Sequence, residues 1–136
     1  MTVFTQQLKD KRLKVTPKRR AILDCFVQQG RCLTPEQIRD QLKQQFNRLG
    51  LPGIYRNLEA FEACGILVKI QRQDRRLYYA LCQGHTQGHH HHHIVCIKCG
   101  KVDDVHGCAL AGTIQASGYK VLHHLIQLEG LCPRCK

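Results

Sequence analysis

Two pairs of cysteines carry the most specific chemical signal in this chain of 136 residues. Cys96 and Cys99 form one Cys-x2-Cys motif, Cys132 and Cys135 form a second one, and 32 residues separate the two motifs. A motif of this spacing can direct both of its thiolates to one tetrahedral Zn²⁺, and two such motifs complete a shell of four sulfurs. Because a closed shell leaves no position for water or substrate, we predict a structural zinc site and not a catalytic one.

Other uses of cysteine fit this chain less well. Nine cysteines cannot all pair, and the first residues carry charges without the apolar core of a secretory signal, so a disulfide framework is not expected. Free or redox-active thiols are the remaining alternative, but a thioredoxin-like motif needs a single pair beside a βαβ unit. We therefore expect a cytoplasmic protein that uses these cysteines for metal ligation.

Five consecutive histidines end two residues before the first cysteine motif. In an extended segment alternate side chains share a face, so His91 and His93 would point the same way as Val95. His90 and His92 would lie on the opposite face. Two imidazoles spaced in this way form half of a metal site, whereas the alternative is a flexible histidine-rich loop that binds metals only loosely.

The two halves of the chain differ in charge and in chemistry. Residues 1–80 contain 16 Lys and Arg against 7 Asp and Glu, whereas residues 81–136 contain 5 against 3. All nine histidines and six of the nine cysteines belong to the second half. No apolar run reaches the roughly 18 to 20 residues that a membrane helix needs, so no membrane span is expected. We predict two domains, 1–82 and 89–136, joined by a glycine-containing hinge at 83–88.

Helix signals divide the first domain into three segments. The pairs Thr16-Pro17 and Thr34-Pro35 each combine an N-cap with proline at the first helical position, and so predict two helix starts. Gln37 adds a capping box to the second helix, which we expect to run to about residue 47. A third helix is predicted over 52–64, where Gly65 would end it and where three residues form the buried face: Ile54, Leu58 and Phe61.

A basic hairpin is predicted after these helices, because two β-prone runs, 66–71 and 77–81, flank a short polar turn. Three helices followed by a hairpin describe a winged helix-turn-helix, in which the last helix enters the DNA major groove and the wing touches the backbone. Side chains off the apolar face of the third helix and basic residues near the first helix start are then the candidates for DNA contact: Tyr55, Arg56, Asn57, Lys14 and Arg19. The alternative is a solvated basic face without a DNA partner.

A small subdomain must fold between the two cysteine motifs. The segment 100–105 is predicted as a strand, 108–117 as a helix and 119–128 as a second strand. The sequence therefore predicts an α+β protein, with an N-terminal winged helix-turn-helix domain followed by a small αβ domain that contains a four-cysteine zinc site.

Four segments resemble the ferric uptake regulator superfamily of bacterial metal-dependent repressors: VTPKRRAIL, LPGIYRNLEAFEACGIL, HHHHHIVCIKCGKVDDV and HHLIQLEGLCPRC. They occur in the order of that family and near its spacings, and the resemblance extends over almost the whole chain, from residue 15 to residue 135. The resemblance implies a homodimer that binds a double-stranded DNA operator through its winged helices and dimerises through its αβ domain, with no small-molecule substrate.

The resemblance also implies a regulatory metal site near the hinge, where metal binding closes the dimer onto DNA. Its candidate ligands come from the winged helix, the end of the wing, the hinge, the histidine run and the strand after it: Cys32, Cys82, His85, His91, His93 and Asp104. Cys32 and Cys82 are alternative thiolate ligands. Because thiolate and imidazole favour Zn²⁺ over metals that prefer carboxylate oxygens, zinc is the expected effector, with Fe²⁺, Mn²⁺ and Ni²⁺ as alternatives.

Two other functions compete with a zinc-responsive repressor. The first is an iron-responsive or peroxide-responsive repressor of the same family, in which oxidation of a histidine ligand or a thiol releases DNA. The second is a metal-dependent hydrolase built on a His-x-His pair, which would need an open metal position and a general base. Only three acids follow residue 80, and two of these are the adjacent Asp103 and Asp104. We therefore predict that the protein is not an enzyme.

Overall fold

The computed structural model of the chain describes residues 2–82, 92–105, 117–121 and 126–136. The chain divides into two compact units, Met1–His85 and Thr86–Lys136. The predicted hinge at 83–88 lies outside the described residues, so the predicted domain bounds stay a prediction. In the described parts of the chain, no helix is long and apolar enough to cross a membrane.

In its described part, the first unit contains four helices and a hairpin. Its elements in chain order are α1 (Thr2–Asp10), α2 (Pro17–Gln29), α3 (Pro35–Leu42), α4 (Leu51–Ala63), β1 (Leu67–Gln71) and β2 (Leu77–Leu81). The predicted starts of α2 and α3 are confirmed, because the Thr16 hydroxyl accepts the backbone N–H of Arg19 and because Thr34 and Gln37 form a reciprocal capping box. The third predicted helix is confirmed as α4, one residue earlier than expected at each end.

Two features of the first unit differ from the sequence prediction. Helix α1 was not predicted, since the segment lacks an N-cap signal and depends on tertiary packing of Leu8, which is 1% exposed. The predicted end of the second helix near residue 47 is wrong, because α3 ends at Leu42. There the backbone N–H of Gln45 donates to the Leu42 carbonyl at 3.0 Å, and this tight turn ends the regular helix.

The core of the first unit holds α4 with one face inward. The predicted apolar face is confirmed, since Ile54, Leu58 and Phe61 are completely buried. They belong to one cluster with the buried residues of α2, α3 and the hairpin, and each fully buried side chain of this size contributes about 1.5 to 3 kcal/mol. Because this face is fixed in the core, the remaining faces of α4 are left to meet a partner.

The predicted hairpin is confirmed, with antiparallel pairing that runs from Leu67 opposite Leu81 to Gln71 opposite Leu77. Asp74 orders its turn by accepting the backbone N–H of Arg76 at 3.0 Å and the Tyr78 hydroxyl at 2.5 Å. The hydrogen bond from Tyr78 is the largest influence that lowers the pKa of the Asp74 carboxyl. These contacts give the wing a defined shape, so the first unit has the winged helix-turn-helix form, preceded by one additional helix.

The second unit contains a three-stranded sheet in its described residues. Strand β3 (His92–Cys96) lies between β4 (Val102–Val105), which is antiparallel to it, and β5 (Gln127–Gly130), which is parallel to it. The strand predicted over 100–105 is confirmed as β4, and the α+β class is confirmed for the chain as a whole.

The remaining predictions for the second unit are corrected or left open. The predicted strand 119–128 is wrong in its extent, because residues 120 and 121 are not in a strand and β5 begins at Gln127. Parallel pairing with β3 sets the position of β5, since it aligns Gln127 with His93 and Gly130 with Cys96. Most of the predicted helix 108–117 lies outside the described residues, and its last residue is in a turn.

Candidate metal centres and nucleic-acid interface

The parallel pairing of β3 and β5 brings the two cysteine motifs together. Cys96 is the last residue of β3 and pairs with Gly130, the last residue of β5. The backbone N–H of Ile97 then donates to the Gly130 carbonyl at 2.9 Å. Because parallel strands end at the same edge of a sheet, both motifs start from that edge, although 32 residues separate them in the sequence.

The four sulfurs have the spacing that a tetrahedral metal site needs. The Sγ atoms of Cys96, Cys99, Cys132 and Cys135 all lie within 4.8 Å of one another, and Cys99 Sγ is 3.7 Å from Cys132 Sγ. Four sulfurs at the usual zinc distance of about 2.3 Å form a tetrahedron with edges of about 3.8 Å. A disulfide would instead require about 2.05 Å. The geometry therefore fits the predicted four-cysteine zinc site.

Backbone amides stabilise a thiolate at this site. Cys96 Sγ accepts the backbone N–H of Cys99 at 3.5 Å and that of Cys132 at 3.4 Å, and these bonds lower the pKa of Cys96 to about 5. At Cys132 desolvation acts to raise the pKa, but hydrogen bonds from Cys135 and the backbone outweigh it, so the pKa is lowered. The hydrogen bond to Cys132 raises the pKa of Cys135 to about 12. A thiolate at Cys96 and a retained proton at Cys135 therefore share one small space, and a divalent cation would neutralise the thiolate and displace the proton.

A second pair of metal-binding side chains lies on β3 and β4. His93 is directly opposite Asp104 in the antiparallel register, and its Nε2 is 3.3 Å from Asp104 Oδ1. The two side chains are only 10% and 14% exposed. An imidazole nitrogen and a carboxylate oxygen at this distance could bind the same metal ion.

The neighbouring histidine has a different role. His92 is also buried, but its Nδ1 accepts the backbone N–H of Ile126 at 3.0 Å. Since consecutive residues of a strand point to opposite faces, His92 and His93 are separated as the sequence predicts. His85 and His91 lie outside the described residues, so their predicted roles stay predictions.

The two candidate thiolates of the first unit differ in their surroundings. Cys82 directly follows β2, is buried, and donates its backbone N–H to Ile66. Cys32 precedes α3, and burial raises the pKa of its thiol although the adjacent Arg72 guanidinium acts in the opposite direction. Among the described residues, Cys32 belongs to no group of three or more close metal-ligating side chains.

The residues predicted to contact DNA lie on α4 and near the start of α2. Arg56 and Lys14 are exposed, whereas Tyr55 and Asn57 are partly buried. Arg19 contacts two of the other candidates, since its Nε donates to Asn57 Oδ1 at 3.0 Å and its Nη1 donates to the Lys14 carbonyl at 2.6 Å. Sequence reasoning missed this contact, because residues separated by 38 positions leave no local pattern.

Sequence reasoning also missed the role of Arg72. Its guanidinium lies 5.1 Å from the centre of the Tyr78 ring and also lies beside the thiol of Cys32. The only available signal was the position of Arg72 in a basic turn, and such a position does not reveal which neighbour the side chain contacts.

A winged helix-turn-helix unit combined with a four-thiol metal site is typical of DNA-binding proteins that also bind metal ions. The model of the Ferric uptake regulator family matches residues 10–129, so the chain belongs to that family. Members of the family are metal-responsive transcriptional regulators that bind DNA, and they are not enzymes.

The names of individual relatives state different effectors, namely iron, peroxide or zinc. The chain is 36% identical over 135 residues to the ferric uptake regulation protein of Neisseria gonorrhoeae, covering 96% of this chain and 91% of the relative. It is 29% identical over 128 residues to a peroxide-responsive repressor of Staphylococcus epidermidis, covering 91% and 82%. A solved zinc uptake regulator complexed with zinc and DNA has a TM-score of 0.74 at 21% identity, covering 98% of this chain and 90% of that one, which shows similarity of fold alone.

Proposed function

We propose that the chain is a zinc-responsive, dimeric transcriptional repressor that acts in the cytoplasm. The observation that carries the proposal is the pair formed by His93 and Asp104, whose nearest side-chain atoms are 3.3 Å apart in a nearly buried position. This pair shares no ligand with the four-cysteine site. A chain with two separate sets of metal ligands can use one metal ion for structure and another for regulation.

The choice of zinc rests on the thiolate that would join this pair. Cys82 is the proposed ligand, because it ends the wing and is followed by the segment that contains His85 and His91. Cys32 is the less suitable candidate, since the positive charge of Arg72 beside its thiol opposes the approach of a divalent cation. Sulfur and nitrogen ligands favour Zn²⁺ over Fe²⁺ or Mn²⁺.

The other parts of the molecule have separate roles in this proposal. The four cysteines hold a structural zinc ion that maintains the second unit, through which two copies associate. Tyr55, Arg56, Asn57 and Lys14 face operator DNA, with Arg19 beside them. Binding of the regulatory zinc increases the fraction of molecules that are competent to bind DNA.

The proposal is tested by measuring DNA affinity at buffered concentrations of free Zn²⁺, Fe²⁺, Mn²⁺ and Ni²⁺. The probe is a duplex that the wild-type protein recovers from a random-sequence library, and binding is followed by fluorescence anisotropy. Because coupling between an effector and DNA is typically about 1 to 3 kcal/mol, zinc should raise the wild-type affinity by about 5- to 150-fold.

Two variants of β4 show whether this response depends on the proposed site. Asp104→Ala should remove the response and one zinc ion per subunit, while the four-cysteine zinc is retained. Asp103→Ala is the matched control, because this neighbouring carboxylate is 57% exposed and pairs instead with Lys101. If Asp104→Ala responds to zinc as the wild-type protein does, the regulatory site lies elsewhere.

An iron-responsive repressor is the second candidate, since the 36% identical relative is named a ferric uptake regulation protein and His93 and Asp104 offer nitrogen and oxygen ligands. A response to Fe²⁺ in the same titration, without a response to Zn²⁺, would support it. If hydrogen peroxide then releases DNA only from the Fe²⁺-loaded protein, the peroxide-responsive function is supported instead.

A further inference from the structure

Arg19 makes two directed contacts within the first unit. It is the third residue of α2, where its own backbone N–H donates to Thr16 Oγ1 at 3.2 Å. Its side chain donates from Nη1 to the Lys14 carbonyl at 2.6 Å and from Nε to Asn57 Oδ1 at 3.0 Å. The planar guanidinium therefore joins the segment before α2 to the middle of α4 in a fixed geometry.

This contact determines which way the Asn57 amide faces. An arginine nitrogen can only donate, so the atom of Asn57 that it contacts must be the oxygen and not the nitrogen. The Asn57 nitrogen, which carries two donor hydrogens, is the atom directed elsewhere. Without Arg19, rotation of the amide by half a turn would exchange its donor and its acceptor at little cost.

The position of Asn57 makes this orientation relevant to DNA. It is adjacent in sequence to Arg56 on α4, and it is only partly buried, because it lies at the border of the face that Ile54 and Leu58 hold in the core. Gly50 caps α4 without a side-chain hydrogen bond. The apolar contacts of α4 are not directional. The hydrogen bond from Arg19 on α2 therefore fixes the orientation of the Asn57 amide, which packing alone does not fix.

We infer that Arg19 is a positioning residue, which holds the Asn57 amide so that its NH₂ group is presented to DNA as a hydrogen-bond donor. This inference rests on the proposed function. A donor at this position would select a base that offers an acceptor in the major groove, such as purine N7, guanine O6 or thymine O4. Arg19 then acts on base preference through Asn57 and does not itself neutralise a phosphate.

The test compares base preference with the salt dependence of DNA affinity. Wild-type protein first recovers duplexes from a random-sequence library, and each variant is then titrated against the recovered duplex and against duplexes with single base changes. Arg19→Ala and Asn57→Ala should lose preference at the same base position, by about 5-fold or more. The double variant should lose no more than either single variant, because both changes remove one interaction.

Arg20→Ala is the matched control, since Arg20 is the neighbouring exposed residue with the same charge. If Arg20 contacts a phosphate, its replacement should lower the slope of log affinity against log salt by about 1 and leave base preference unchanged. Arg19→Ala should leave this slope unchanged.

Two conservative variants separate geometry from charge. Asn57→Asp keeps an acceptor for Arg19 but has no donor, so it should lose the same base preference as Asn57→Ala. Arg19→Lys keeps the charge without the planar fork, so it should resemble Arg19→Ala in preference. Thermal melting of every variant confirms that the comparison is made on folded protein.

Three outcomes would overturn the inference. A lower salt slope for Arg19→Ala, with an equal loss of affinity on all duplexes, would make Arg19 a direct phosphate contact. If Asn57→Asp kept the base preference of the wild-type protein, the Asn57 NH₂ group would not be the donor that contacts a base. If the wild-type protein recovers no sequence in the presence of any of the buffered metals, both the proposed function and the inference about Arg19 fail. This outcome is seen with the wild-type protein alone, so it can be distinguished from a failure of the inference about Arg19, which only the variants reveal.

Discussion

Replacing Cys132 by serine in the 136-residue chain should unfold the second unit and leave the first unit folded. The reason is the distribution of buried apolar side chains. The extended apolar core belongs to the first unit, whereas Val95 is the only aliphatic side chain that is completely buried in the described part of the second unit. The sheet of β3, β4 and β5 therefore depends on the four-cysteine site.

The expected loss of stability follows from comparing the contribution of apolar burial in the second unit with the contribution of zinc binding. Burial of Val95 contributes about 1.5 to 3 kcal/mol. A structural zinc ion contributes apparent binding energy of about 10 to 16 kcal/mol at neutral pH, against a typical net stability of about 5 to 15 kcal/mol for a whole domain. Serine cannot replace the thiolate, and its backbone still occupies the position whose amide bonds to Cys96 Sγ. The lost metal affinity is therefore the dominant effect.

Hydrogen exchange followed by mass spectrometry can measure the two units separately in one sample. Peptides from 92–105 and 126–136 should lose protection in Cys132→Ser, while peptides from 17–29 and 51–63 keep it. Zinc content and dimer mass are measured on the same preparation. Cys64→Ser is the control, because it makes the same atomic change at a partly buried cysteine of the first unit. Retained zinc and unchanged exchange in the second unit of Cys132→Ser would refute the structural role.

Three further substitutions test other parts of the structure. Tyr79→Phe should leave the free energy of unfolding unchanged or raise it by up to about 2 kcal/mol in thermal melts. The buried Tyr79 hydroxyl lacks a hydrogen-bond partner among the described residues, and burial raises its pKa to about 12. A loss of stability above about 1 kcal/mol would contradict this. Thr34→Ala should cost about 1 kcal/mol through loss of the capping box, and an unchanged melting temperature would refute that role. Arg56→Ala should weaken DNA binding without altering zinc content, and unchanged affinity for both specific and random duplexes would remove this residue from the interface.

Local sequence patterns determined much of the fold. The starts of α2 and α3 were predictable because an N-cap side chain bonds to a backbone amide only three residues away. The inward face of α4 followed from helical spacing, and the hairpin followed from two β-prone runs around a turn. The four cysteines could also be grouped from sequence, since each Cys-x2-Cys motif supplies two thiolates, and the two motifs of this chain together complete a tetrahedral zinc shell.

Only the tertiary structure decided the features that depend on residues far apart in the chain. Helix α1 forms because Leu8 finds a place in the core, and β5 begins at Gln127 because parallel pairing with His93 aligns it. The cross-strand pairing of His93 with Asp104 and the contact of Arg19 with Asn57 likewise join residues that the sequence alone does not place together. A sequence pattern records the period of a helix or strand, but not the register between two strands or the neighbour that a long side chain reaches. The strand register and the neighbours of long side chains depend on close packing, to which residues from the whole unit contribute.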